Sequence, residues 1–476
     1  MVFSSETFLF LFLPLFLALY YLTPFRFRSA LILAGSYLFY GWWRFDFLAL
    51  LILTTIWTYG IGHLVAADPG TRPARVWCGV GVAGCLAVLG VFKYLNFFID
   101  SFAALFGTTA AGLDIHWRLI LPIGVSFYVF HCISYLVDVY REDARPPRSF
   151  FDFAAFIALF PQLVAGPILR FKDLAHQFEH RTHSPQLFAD GMARFAVGLG
   201  KKVLIADSIA PLADLAFATP DPSAPLAWAG AVAYMLQLYF DFSGYSDMAM
   251  GLGLMMGFRF RENFDTPYIS ASITEFWRRW HISLSVWLRD YLYIPLGGNR
   301  ISGRRTYVNL LTVMVLGGLW HGANWTFVLW GIWHGGWLAA ERGLGWAMRP
   351  RTAGRVAATL IVVLVGWVVF RAATVPQAMG FYAGLLGLNG LALAPELAVQ
   401  ITRESLAVLV LGITVAAAEP LLIRAVKERY YVPSGPAGTL AVSDTLVPAL
   451  ATSVIFALSV MRLAEQSFSP FLYFQF

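Results

Sequence analysis

"TFLFLFLPLFLALYYLT", Thr7 to Thr23, fixes the solvent for which this chain is built. Only Glu6 stands close before it, so there is no cationic leader, and no small-residue cleavage site follows. It reads as a retained helix rather than a signal peptide. Apolar runs of about 20 residues, enough to cross a hydrocarbon layer of about 30 Å, recur along the rest of the chain. Over 476 residues, 58% are hydrophobic and 13% charged, and the mean hydropathy is +0.65. These values lie outside the range of soluble globular proteins. The expectation is an all-α polytopic integral membrane protein: one membrane domain over 1–476 with about ten to twelve helices, some not fully spanning.

Charge supplies an orientation. "FRFR" (25–28), "DPGTRPAR" (68–75), "REDARPPR" (141–148), "RFREN" (259–263), "ERGLGWAMRPR" (341–351) and "RAVKER" (424–429) read as cytoplasmic loops. Met1 to Glu6 and "TPDPSAP" (219–225) lack Lys and Arg and read as outside. Both termini are then extracytoplasmic, with a last helix near 446–463 and an aromatic tail at 464–476. The net charge of +6 reflects these loops; no basic and aromatic ladder points to nucleic acid. Cys78, Cys85 and Cys132 are scattered without metal-ligand spacing, which argues against a disulfide framework or a structural zinc.

Two stretches break the pattern of plain spans. "FIALFPQLVAGPILR" (156–170) contains Pro161, Gly166 and Pro167. Backbone freed at membrane depth needs cover by protein or water, so this segment reads as re-entrant or cavity-lining. "RFKDLAHQFEHRTH" after it reads as a surface segment. "SITEFWRRWHISLSVWLRDYLYIPLGGNR" (272–300) opens with Ser272 and Glu275 in capping-box spacing and closes at Pro295, Gly297 and Gly298. Phe276, Trp280, Leu284, Trp287 and Tyr291 recur at helical spacing, which predicts an interfacial amphipathic helix.

Ionisable groups within apolar runs are the candidates for chemistry. His321 lies in "LGGLWHGANWTFVLWGIWHGG", between Trp320 and Trp325, with Gly317, Gly318 and Gly322 allowing close backbone approach. Burial there disfavours imidazolium and leaves an imidazole able to accept a proton; the alternative is a hydrogen-bonded packing histidine. His334 repeats the motif thirteen positions on and reads as a packing or helix-end residue, since on one continuous helix it would sit roughly 20 Å away unless the chain reverses near Gly322. His281 reads either as an aromatic-belt residue or as a second proton-handling group. Arg278 and Arg279 beside it suit phosphates of an anionic donor or lipid headgroups. Asp241 and Asp247, on a segment with Gly244, Gly251, Gly253 and Gly257, are too costly to bury without partners. The glycines fit helix packing and not a dinucleotide fingerprint. Nothing in the spacing favours a triad through Ser243. No Walker, HExxH or GxSxG motif appears among these candidates, so no metal is expected and energy enters with the substrate or is not needed.

At "FWRRWHISLSVWLRDYLYIPLGGNR" and "LGGLWHGANWTFVLWGIWHG" the sequence closely resembles the membrane-bound O-acyltransferase (MBOAT) family, in particular its members from bacterial alginate O-acetylation. The resemblance extends through "MVFSSETFLFLFLPLFLALYYL", "LPIGVSFYVFHCISYLVDVYR" and "FDFSGYSDMAMGLGLMMGFRF" to the chain's end. It implies a ring of tilted helices around a thinned centre, with a funnel and a tunnel meeting at a histidine. It places the active-site histidine at His321 and the second motif histidine at His281. It also implies substrate contacts from Arg278, Arg279, Trp280, Trp320 and Asn324, and acetyl transfer outward from acetyl-coenzyme A, with no permanently bound cofactor. The implied partners are the lipid bilayer and periplasmic or membrane-anchored polysaccharide O-acetyltransferase subunits.

The ending "SPFLYFQF" resembles the C-terminal motif of small polypeptides that accompany the related transferase of teichoic-acid D-alanylation. There the motif tyrosine looks like an acyl relay; here the position is Tyr473, whose other reading is an aromatic-belt anchor. A phenyl ester keeps much of a thioester's activation because phenol, of pKa about 10, leaves well. Two other classes remain open from the residues: a secondary transporter or polymer-export channel, and a non-catalytic scaffold for periplasmic transferases.

Overall fold

The computed structural model describes residues 1–147, 149–430, 446–465 and 471–472, and no strand occurs among them. Arg148 and Tyr473, with Pro470, Phe474 and Phe476, lie outside the described residues. The sequence reads as a single domain; the chain divides into two compact units, Met1–His183 with Met256–Arg261, and Ser184–Met255 with Glu262–Phe476.

The first unit contains α1 (Leu13–Leu22), α2 (Arg28–Gly41), α3 (Phe45–Ala67), α4 (Arg72–Leu89), α5 (Leu95–Leu105), α6 (Val125–Tyr140), α7 (Phe150–Ala158), α8 (Phe160–Leu163) and α9 (Phe171–Glu179). A wider turn at Gly90–Tyr94 joins α4 to α5, so that 72–105 is one long apolar rod. The Pro-broken segment behaves as its backbone chemistry requires. Leu159 leaves helical geometry between α7 and α8. The Phe160 amide donates to Ser36 Oγ at 3.1 Å, and the Gln162 side chain donates to Phe156 O at 2.6 Å. Residues 153–170 are buried throughout, so protein covers the irregular backbone. The following segment forms α9, which buries Phe171, Leu174 and Phe178 and turns its charged side away.

The second unit contains α10 (Pro185–Gly200), α11 (Asp207–Ala218), α12 (Ala224–Met255), α13 (Ile273–Arg279), α14 (Ile282–Leu288), α15 (Gly303–His321), α16 (Trp325–Gly343), α17 (Ala353–Arg371), α18 (Val375–Leu385), α19 (Pro395–Ala398), α20 (Arg403–Tyr430) and α21 (Leu446–Glu465). The 32-residue α12 is its axis. It packs on α10 through reciprocal glycines: a Cβ on Gly198 would meet Gly244 O at 2.5 Å, and one on Gly251 would meet Gly191 O at the same distance. The glycine pattern thus serves helix contact, as small residues do in membranes. Asp247 finds Arg194 and Lys201, each at 3.0 Å, and Asp241 finds Lys202 at 2.8 Å.

Among the described residues, four helical stretches are long and apolar enough to cross a membrane: Phe45–Ala67, Arg72–Leu105, Ala353–Arg371 and Arg403–Ile423. Large apolar side chains such as Leu22, Phe45 and Leu105 stand exposed on the helices and at their ends, as they do where lipid is the solvent. Two expectations are corrected. Residues 424–429 continue α20 rather than forming a loop; Ala, Lys, Glu and Arg are good helix formers whatever their charge. The stretch 272–300 is not one helix, for a reason that belongs to the site.

Candidate active site

The decisive local structure is a reversal at 322–324. Ser302 Oγ caps α15 by accepting from the Arg305 amide at 3.2 Å. The helix then runs to His321, and Gly322 takes extended geometry. Asn324 caps α16: its Oδ1 accepts from the Thr326 amide at 3.1 Å while its Nδ2 donates to Ala373 O at 2.9 Å. The antiparallel helices touch backbone to backbone, since a Cβ on Gly318 would lie 2.2 Å from Phe327 O and one on Gly331 2.5 Å from Met314 O. His321 is thereby held, 6% exposed, at the closed end of a hairpin. The same reversal brings His334 to the Trp330 ring as well, whose centroid is 5.2 Å from His321 and 4.9 Å from His334. The continuous-helix separation does not apply.

His281 reaches this place through a break. Ser272 Oγ accepts from the Glu275 amide at 3.0 Å, as the capping-box spacing predicts, and Glu275 accepts from the Ala271 amide at 2.8 Å. Glu341 of α16 adds its carboxylate to the same helix start, taking the Ile273 and Thr274 amides at 2.6 and 2.8 Å. Seven residues later α13 ends. Trp280 is extended, and His281 sits in left-handed geometry at φ 43 and ψ 54 before α14 begins. Such a conformation costs about 1–3 kcal/mol for a side-chain-bearing residue and persists only where its surroundings over-determine it.

Asn263 is what over-determines it. Its main-chain carbonyl accepts from the Ile282 amide at 2.9 Å. Its Oδ1 accepts from Ser283 Oγ at 2.8 Å and the Ser283 amide at 3.2 Å, and lies 3.1 Å from His281 Nδ1. Its Nδ2 donates to Ser246 Oγ at 3.0 Å, which fixes the orientation of the amide. An oxygen facing Nδ1 selects the tautomer protonated there, and Nε2 then carries the lone pair.

The two imidazoles meet in an aromatic box. The His281 and His321 ring centroids are 6.4 Å apart. Trp320 lies 5.0 Å from His321 and 6.0 Å from His281. Phe370 of α17 closes on His321 at 5.2 Å, and Phe242 of α12 meets His281 edge-on at 4.6 Å. Burial in such surroundings favours neutral imidazole, which offers a lone pair to a proton donor away from bulk water. Among the described residues no group of three His, Cys, Asp or Glu side chains is placed to hold a metal.

The other sequence candidates are distributed differently. Trp320 is in the box. Trp280, 3% exposed, packs beneath it against Phe276, Phe264 and Trp367. Asn324 serves as a helix cap. Arg279 is matched by Glu275 at 2.9 Å and Asp265 at 3.0 Å, whereas Arg278 is exposed. Ser243 Oγ is buried and has no hydrogen-bond partner among the described residues, which do not place it in a triad. Tyr473 is outside the described residues, but Phe471 and Leu472 immediately before it are buried in this unit. Asn263, Phe242 and Phe370 were not singled out from the sequence. Asn263 stands at the end of a basic run that reads as a loop, and 18 residues separate it from His281.

A match to the model of the membrane-bound O-acyltransferase family covers residues 97–384, which include both histidines and their box. The chain belongs to the membrane-bound O-acyltransferase family. It is therefore an acyltransferase and a polytopic membrane protein, as the sequence led us to expect. Among membrane-bound O-acyltransferase relatives, it is 53% identical to the probable alginate O-acetylase of Azotobacter vinelandii, with all of both chains covered. It is 52% identical to the probable alginate O-acetylase of Pseudomonas putida, again over all of both chains. It is 36% identical to the peptidoglycan O-acetyltransferase of Helicobacter pylori, over 83% of this chain and 81% of that one.

Proposed function

We propose that this chain passes acetyl groups from acetyl-coenzyme A in the cytoplasm across the inner membrane for O-acetylation of an exopolysaccharide, with alginate the polymer. The observation that carries the reading is the pair of buried imidazoles, 6.4 Å apart and walled by Trp320 and Phe370. The names of relatives matched from end to end support the polymer and the acetyl group.

His321 acts as general base. An acceptor hydroxyl attacks the acetyl carbonyl and gives its proton to the imidazole; the C–O bond forms, the C–S bond breaks, and the departing thiolate takes the proton back. His281, held by Asn263, orients donor or acceptor, and the exposed Arg278 is available to the donor's phosphates. Tyr473 is the first acceptor and hands the acetyl group as a phenyl ester to periplasmic or membrane-anchored transferase subunits. Both chain ends face outward in this account.

Replacement of one acid–base group costs about 10²- to 10⁴-fold in rate. Inserted and folded His321→Ala protein is expected to lose polymer acetylation by at least the lower figure, and normal acetylation by it would remove His321 from the chemistry. For the relay, peptide mass spectrometry of working protein is expected to find acetyl on Tyr473; a fully active Tyr473→Phe variant would remove that step.

A further inference from the structure

The buried charge on α12 is not explained by helix packing alone. Asp241 and Lys202 are 1% and 2% exposed. Lys202 Nζ lies 2.6 Å from Asp207 Oδ1 and 2.8 Å from Asp241 Oδ1. A carboxylate this deeply buried needs its oxygens met by partners. What meets the second oxygen of Asp241 comes from the far end of the chain: the Leu472 amide donates to Oδ2 at 2.9 Å, across 231 residues. Main-chain N–H to carboxylate bonds are directional and charge-assisted, and they hold a backbone without regard to its side chain.

The neighbouring contacts lead to the histidines. Phe471 stacks on Tyr245 at 4.5 Å and 30° and lies 6.2 Å from Phe242. Phe242 is the ring that meets His281 edge-on at 4.6 Å. Phe471 and Leu472 are 2% and 6% exposed, although the last residues of most chains are frayed unless something ties them down. A bond that satisfies a buried carboxylate and a ring wedged on the site's own wall are two independent ties.

We propose that Asp241, charge-paired with Lys202, is a positioning residue that clamps residues 471–472 through the Leu472 amide and holds Phe471 against the Phe242 wall of the His281–His321 site. The clamp rests on the acyl-transfer reading above and gives it a device: it fixes the backbone one residue before Tyr473. Lys202 sets an opposite charge against Asp241 at 2.8 Å, and Asp207 is the second carboxylate that holds Lys202.

Hydrogen exchange on the full-length protein in detergent reads the clamp directly. The Leu472 amide is expected to exchange at least 10-fold more slowly than in a peptide of residues 464–476, and Asp241→Leu, which leaves Lys202 its Asp207 partner, is expected to abolish that protection. Leu472→Pro deletes the donor without touching α12, so it decides the matter even where the Asp241 variant fails to fold. Chymotryptic release of residues 474–476, followed by intact mass, is expected to quicken at least 10-fold in it, and polymer acetylation to fall by a similar factor. A Leu472 amide that exchanges as fast as the peptide's, or a Leu472→Pro protein cut no faster than wild type, overturns the clamp. Tyr473→Phe separates the two claims: full activity with a protected Leu472 amide would sink the relay and leave the clamp standing.

Discussion

At the residue scale the site is made by one amide. His281 adopts a left-handed conformation that a histidine does not take unaided, and Asn263 secures it with both its main-chain carbonyl and its side chain. Asn263→Ala would leave the Ser283 amide and Ser283 hydroxyl without this acceptor and free the imidazole to turn. A lost buried hydrogen bond costs about 1–3 kcal/mol, and the same energy taken from the transition state is roughly 5- to 150-fold in rate. We therefore expect acetyl transfer by Asn263→Ala to fall within that range while the amount of inserted protein stays near wild type, as judged by gel filtration alongside a transfer assay. Activity equal to wild type would mean that the orientation of His281 does not matter. His321 stood out in the sequence because an ionisable residue inside an apolar run is conspicuous, and His281 entered through its motif's resemblance to the family; the structure brings the two rings together. Asn263 did not stand out, because its role is a contact between segments 18 residues apart and its immediate neighbours are surface charges.

At the scale of elements, local signals were read well and their interruptions poorly. Ser272 announced the start of α13 through a side-chain cap that the structure contains. The apolar spacing from Phe276 to Tyr291 is compatible with a helix, and it gave no sign of the reversal of φ at His281, because periodicity records side-chain pattern and not the main-chain bonds that Asn263 supplies. The α15–α16 hairpin shows the opposite case. Its glycines were read as permitting close approach, and the structure makes that literal at Gly318, where a methyl group would strike the Phe327 carbonyl. Overpacking of this kind costs about 1–3 kcal/mol, and here it also shifts the helix end that carries His321. Gly318→Ala is expected to lower the apparent Tm by a few degrees and to reduce transfer; Gly336→Ala, where a Cβ meets nothing within 4 Å, is the matched control and is expected to change neither. Equal thermal unfolding curves for the two variants would contradict the backbone contact.

At the scale of the whole molecule, the balance of 58% hydrophobic against 13% charged residues settled the solvent and hence the all-helical class, since helices satisfy their backbone internally. What composition could not convey is where the scarce buried charge goes. Asp247 is spent on pairs with Arg194 and Lys201, whereas Asp241 is shared between Lys202 and the end of the chain. Buried charge in this chain thus both stabilises helix contacts and holds a segment against the site, and only the spatial neighbours tell the two uses apart. All of it serves the central claim that His321 is the general base of acetyl transfer. That claim is tested most directly by reconstituting purified protein in liposomes with labelled acetyl-coenzyme A and following the label onto protein and free thiol. The account predicts transfer by wild type and a loss of at least about 100-fold for folded His321→Ala; transfer undiminished in that variant would contradict it.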